Sequence, residues 1–367
     1  MSTILKLPLD SPRTTTIMTS NFRRRIRPRL FHRLLTSIGI LAAGSAWAAS
    51  DMNVQSIDGR LATGEGEFDA GPWAGPARAF SAFLSSQYFT TDPGWNALGA
   101  GSPALPAGID PLAPQTDLSW DYLPGKIGGV AANIFYWDGQ GPVAFGLPPG
   151  GLPYQISLQA RTGDFISTTA TPGLVPGGAV VRTNSQGGVH SHRTWALDDN
   201  DGSLETDPAD GIYLAAVRLR MEGFDRSAPA FVLFATPAVS LAAVGDAVVW
   251  THTNAESLVP DFAADFNGDL AVDGFDLAVW QSGYGLAGAA ALQVAGDGTF
   301  DATVDGADFL AWQRQHGSTL ETFAGAPVAP AVAIVPEPSA GPMFFGLATF
   351  LVFLARAISG PHRIAAE

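Results

Sequence analysis

Residues 213–221 read YLAAVRLRM. Tyr213, Ala215, Val217, Leu219 and Met221 fall on one side of this alternation, with Arg218 and Arg220 on the other. Successive side chains of a strand point to opposite faces, so the pattern predicts a half-buried strand. Its neighbours agree. AFVLFA (230–235) is a continuous apolar run, the mark of a strand covered on both faces. QISLQA (155–160) places Ile156, Leu158 and Ala160 on one face, and ANIFYWDG (132–139) ends in a turn signal. The 42 glycines and 27 prolines favour turns and short strands over long helices. Together these features predict a mainly β chain whose residues 49–256 form an antiparallel β-sandwich. The stretch 91–117, rich in Pro and Gly and without period, predicts a long loop.

The chain has 367 residues, room for about two or three domains. It contains no cysteine, which excludes disulfides, thiolate-held zinc and thiol nucleophiles. The net charge is −14, but it is unevenly spread. Residues 1–48 hold eight Lys/Arg against one acid, leaving 12 basic and 33 acidic residues, a net of −21, for the remainder. Such a surface repels phosphate backbones, which argues against a nucleic-acid partner, and suits divalent cations.

A second pattern is acidic. DFNGDLAVDGFDLAVWQ begins at Asp265 and DGTFDATVDGADFLAWQ at Asp297, with Trp280 and Trp312 at matching places. Written as twelve-position loops, positions 1, 3, 5, 9 and 12 are Asp265, Asn267, Asp269, Asp273 and Asp276 in the first. In the second they are Asp297, Thr299, Asp301, Asp305 and Asp308. Position 7 contributes its carbonyl, from Ala271 and Thr303. Oxygen donors at this spacing are the ligand set of an EF-hand-type calcium loop. Val272 and Val304 at position 8 can pin each loop to a core, and a helical apolar segment follows each. Position 6, where a left-handed turn is expected, is Leu270 or Ala302 rather than Gly, at a cost of ~1 kcal/mol or more. Aspartate at position 12 and one helix per loop make residues 258–320 resemble a type I dockerin. The resemblance implies a small α module binding two calcium ions, the first site the stronger because Thr299 is a neutral ligand in the second. In cellulosomal dockerins positions 10 and 11 meet a cohesin. Here they are Gly274-Phe275 and Gly306-Ala307, which implies as partner either a cohesin-type protein or the chain's own β-domain.

The two ends read as addresses. Residues 1–48 run from a basic segment (Arg23 to Arg33) through an apolar stretch to Ala46-Trp47-Ala48, the signal-peptide pattern. An Ala/Pro linker over 321–335 leads to Pro336-Glu337-Pro338, an apolar run from Met343 to Ala355, then Arg356 and Arg363. Residues 336–367 resemble the PEP-CTERM tails of bacterial surface proteins. That likeness implies a C-terminal hydrophobic helix held in the membrane before cleavage by an exosortase-type enzyme, and an exported protein of the cell envelope or surface.

Within the β region, His190 and His192 stand two apart, so on a strand both imidazoles share a face and can hold zinc or a similar ion. The phrase H-x-H-x-x-W (His190 to Trp195) and Gly211-x-Tyr213 resemble bacterial surface-anchored proteins of the choice-of-anchor M type. A cupin pattern fails, since Ala196 and Leu197 stand where its Glu is needed. No Gly-x-Ser-x-Gly elbow, H-E-x-x-H or phosphate loop occurs. The expected function is a non-enzymatic binding or structural protein with a calcium-dependent interaction module. The competing reading is a polysaccharide-active or carbohydrate-binding protein recruited through its dockerin, with Trp73, Trp95 and Trp137 stacking on sugars.

Overall fold

A computed structural model describes residues 51–65, 73, 75–201, 207–320 and 322. The leader over 1–48, the linker over 321–335 apart from Thr322, and the terminal segment 336–367 lie outside the described residues. Among the described residues no helix is long and apolar enough to cross a membrane.

The chain is mainly β. One sheet takes β13 (Val189–Ser191), β5 (Trp95–Ala97), β1 (Met52–Ile57) and β2 (Arg60–Glu65) in that order. A second takes β11 (Phe165–Thr169), β10 (Gln155–Gln159), β14 (Trp195–Asp198) and β4 (Phe89–Thr90). The largest runs β12 (Val175–Arg182), β6 (Asp117–Leu123), β15 (Ile212–Arg220), β16 (Ala230–Ala235) and β3 (Ala79–Phe83), with β9 (Ile134–Trp137) also on β15. A small hairpin pairs β7 (Gly125–Ile127) with β8 (Val130–Ala132).

The stretch 213–221 proves to be the middle of the largest sheet. Tyr213 pairs with Phe234 and Leu214 with Leu233 across the β15–β16 ladder. Tyr213, Ala215, Val217 and Leu219 join one apolar core, and Ile212, Leu214 and Ala216 join another on the opposite face. The expected polar face is therefore wrong for most of the strand. Arg218 is buried and Arg220 alone is exposed.

The second core is closed by α1 (Leu241–Leu258), an element the β reading of 49–256 does not contain. Ser240 caps it by accepting the Ala243 N–H at 3.2 Å. Ala243, Val244, Ala247, Val248, Ala255 and Leu258 recur at helical spacing and face the sheet. The run Val248-Val249-Trp250-Thr251 favours strands by propensity, but burying the helical stripe outweighs that weak preference. Two further corrections concern pairing. β1–β5 and β16–β3 are parallel, so the sheets are not wholly antiparallel. The expected loop over 91–117 contains β5, buried between β1 and β13.

Trp73, Trp95 and Trp137 are 8%, 0% and 4% exposed, which overturns their reading as sugar-stacking platforms. They fill the interior instead.

Candidate metal centres

Each acidic loop is built by its own aspartates. In the first, Asp265 Oδ1 accepts the Gly268 N–H at 2.6 Å and Oδ2 accepts Leu270 N–H at 3.0 Å. These bonds curl the backbone so that Gly268 and Leu270 sit at φ 82° and 69°. In the second, Asp297 Oδ2 accepts Ala302 N–H at 2.7 Å, and Phe300 and Ala302 take φ 54° and 60°. Position 6 is thus left-handed without glycine in both loops. Only the first has glycine at position 4, where a Cβ would lie 2.1 Å from Arg226 Nη1.

Position 12 closes each loop onto the following helix, α2 (Gly274–Gly283) or α3 (Gly306–Gln315). Asp276 Oδ1 accepts Phe266 and Asn267 N–H at 2.8 and 3.1 Å, and Oδ2 accepts Asp273 N–H at 2.8 Å. Asp308 Oδ1 accepts Thr299 N–H at 2.9 Å and Oδ2 accepts Asp305 N–H at 2.7 Å. Asp273 and Asp305 form capping boxes with them.

The matched tryptophans now have a reason. Trp280 Nε1 donates to the Asp305 carbonyl at 2.9 Å, and Trp312 Nε1 to the Asp273 carbonyl at 2.8 Å. Val272 N–H bonds Ser318 O at 2.9 Å and Val304 N–H bonds Leu286 O at 2.9 Å. Each repeat completes the other, with Val272 and Val304 fully buried.

The donor set of the loops suits calcium. The side-chain donors are all oxygen, and a carboxylate has about four lone-pair sites, so an accepted N–H orients it without exhausting it. Asp265, Asp276, Asp297 and Asp308 are at most 1% exposed. Burying a carboxylate is costly unless it is paired or holds a metal. Among the described residues one cation approaches them, Arg218, whose Nη1 lies 3.9 Å from Asp265 Oδ2. Burial nonetheless pushes the Asp265 carboxyl up to about 6 and raises Asp276 and Asp297 as well. Asn267, Asp269 and Asp301 stay nearer the surface and bond within the loops: Asn267 Oδ1 accepts Asp269 N–H, and Asp269 and Asp301 accept the N–H of Ala271 and Thr303.

The loops rest on the β part through arginines. Arg218 Nη2 donates to Gly268 O at 3.1 Å and Arg226 Nη2 to Asn267 O at 3.3 Å. Arg60 pairs with Asp261 at 2.5 Å and covers the Phe300 ring at 4.3 Å. Buried Asp225 accepts the Gln293 N–H. The pairs Gly274-Phe275 and Gly306-Ala307 take no part in this contact. All four residues are exposed, Phe275 at 72%. The expectation that these positions pack on the chain's own β-domain is therefore corrected.

A second centre lies at the edge of the first sheet. β13 pairs antiparallel with β5, placing His190 opposite Asn96 and Ser191 opposite Trp95. The rings of His190 and His192 are 5.3 Å apart. Asp51, just before β1, joins them. The three are the one group of His, Asp or Glu among the described residues whose ligand atoms all lie within 4.8 Å of one another. Nothing local in the sequence marks Asp51, because it is brought to the pair by the β1–β5–β13 ladder. His252 is exposed on α1 and lies outside this group.

Compared with known proteins, the chain matches no family model, no curated protein and no solved structure at a significant level.

Proposed function

We propose that this chain is an exported, surface-sorted binding or structural protein rather than an enzyme. In this reading its β part is a sandwich, and residues 258–320 form a dockerin-like module held together by calcium. One observation carries the proposal: four buried carboxylates in two matching loops, approached among the described residues by one arginine, call for further positive charge. Calcium bound by Asp265, Asn267, Asp269, Ala271 O, Asp273 and Asp276, and by Asp297, Thr299, Asp301, Thr303 O, Asp305 and Asp308, supplies it. The exposed Gly274-Phe275 and Gly306-Ala307 pairs leave the positions through which dockerins meet a cohesin open to a partner. The terminal segments 1–48 and 336–367 supply export and exosortase-type sorting.

The test is a thermal melt of the full chain after treatment with a chelator, with calcium added to millimolar levels and magnesium as comparison. At ten times Kd each site adds about 1.4 kcal/mol, so the melting temperature should climb by several degrees with calcium. A melt indifferent to calcium at 10 mM, roughly ten times the weakest Kd of extracellular modules, overturns the reading.

A further inference from the structure

We propose that Asp51, His190 and His192 form a binding site for zinc, built by the first sheet and separate from the acidic loops. Two imidazoles and a carboxylate are a ligand set for zinc-class ions, whereas calcium takes oxygen alone. Their ligand atoms already lie within 4.8 Å of one another. A tetrahedral ion with bonds of ~2.0–2.2 Å holds its ligands roughly 3.4 Å apart, so small side-chain rotations complete the set.

The surroundings orient these groups as a metal site requires. His190 Nδ1 lies 2.6 Å from Asn96 Oδ1. His192 Nδ1 lies 3.2 Å from the Thr91 carbonyl and 3.3 Å from Asp92 Oδ1. Oxygen acceptors at Nδ1 select the tautomer that carries its lone pair on Nε2, the usual work of partners behind a metal-bound histidine. His192 Nε2 then lies 3.9 Å from Asp51 Oδ2. Asn96, 2% exposed, serves two ligands at once: its oxygen takes the His190 ring and its Nδ2 donates to Asp51 Oδ2 at 2.5 Å. Asp51 Oδ1 accepts the Gly94 N–H at 2.9 Å.

Gly94 leaves the space. A Cβ there would lie 2.6 Å from His192 Nδ1 and 2.7 Å from Asp51 Oδ1. The histidines are exposed, so a bound ion keeps a solvent-facing side for water as its fourth ligand. A bare ion pair of His192 with Asp51 and Asp92 explains neither the position of His190 nor the double role of Asn96.

The experiment is zinc titration calorimetry on the metal-stripped full chain, with millimolar calcium present throughout to occupy the acidic loops. Cobalt(II) absorption reports the coordination. One zinc per chain is expected, with a tetrahedral cobalt spectrum. His190→Ala/His192→Ala should abolish binding. Asp51→Asn should weaken it tenfold or more. Gly94→Ala should weaken it although it removes no ligand, and Asp276→Ala should leave it unchanged. Circular dichroism checks each fold, and His192→Gln replaces the double variant if that one does not fold. Equal isotherms for wild type and the histidine variant, or no zinc bound at ~0.1 mM, overturn the proposal. Zinc binding indifferent to Asp51→Asn overturns the three-ligand assignment.

Discussion

The two acidic loops have one backbone path and two environments. Both turn left-handed at positions 4 and 6, both close through a capping box, and both bury a valine at position 8. What faces them differs. The first lies under Arg218 and Arg226, which donate to its carbonyls, with Arg218 near Asp265 as well. The second meets the β part through an aromatic ring under Arg60, with Asp225 nearby on Gln293. By ligand type alone the first loop outranks the second, Asn267 against Thr299. Yet a buried guanidinium beside Asp265 opposes a second cation there. The ligand positions match in the two loops, so it is the tertiary neighbours that set them apart.

The largest effects should come from removing position 12 of each loop. Asp276→Ala and Asp308→Ala each leave buried N–H donors without an acceptor, a loss of about 3 kcal/mol. Urea unfolding followed by tryptophan fluorescence should show similar losses if the shared backbone path dominates. Unequal losses would place the difference in the surroundings. Next, Arg218→Met should tighten calcium at the first loop about tenfold, the effect of removing a nearby like charge from a partly screened site. Calorimetry in an Asp308→Ala background isolates that loop, and unchanged affinity would show that Arg218 does not compete.

Asp225 tests the second environment through pH. Burial raises its carboxyl to about 6, above its ordinary 3.8. Its folded state therefore holds the proton more tightly. The resulting stabilisation is full below pH ~4 and is lost as pH rises through about 6. Asp225→Asn should flatten that decline by up to about 3 kcal/mol, roughly two units at about 1.4 kcal/mol each, read from melts between pH 4 and 7. The smallest effect should come from Trp280→Phe and Trp312→Phe, each losing one N–H···O bond, roughly 0.5–1 kcal/mol. A marked inequality between them would show that the repeats do not lean on each other equally.

Much of this was legible in the sequence where the signal was local. The strands at 155–159, 212–220 and 230–235 follow from alternation or continuous apolarity. The loops follow from spacing, down to the left-handed backbone at Leu270 and Ala302. What was not legible depends on partners distant in the chain. The second face of β15 looked polar because Arg218 and Arg220 are charged, yet Arg218 is covered by a loop that begins at Asp265. α1 was masked by β-branched residues whose burial under the sheet no local pattern reveals. In the histidine centre, the pair was visible two residues apart. Asp51, Asn96 and Gly94 were not, since they arrive through strand pairing.

The exchange between Trp280 and Trp312 carries a consequence of symmetry. Each repeat offers one indole donor and one loop carbonyl, and the pair uses both completely, as an approximate dyad requires. Such an arrangement is closed. A third repeat appended to it would bring a donor and an acceptor with nothing to receive them, and a single repeat would keep both unmet. Two is thus the number at which this unit terminates. Through this contact alone the unit does not propagate into an array.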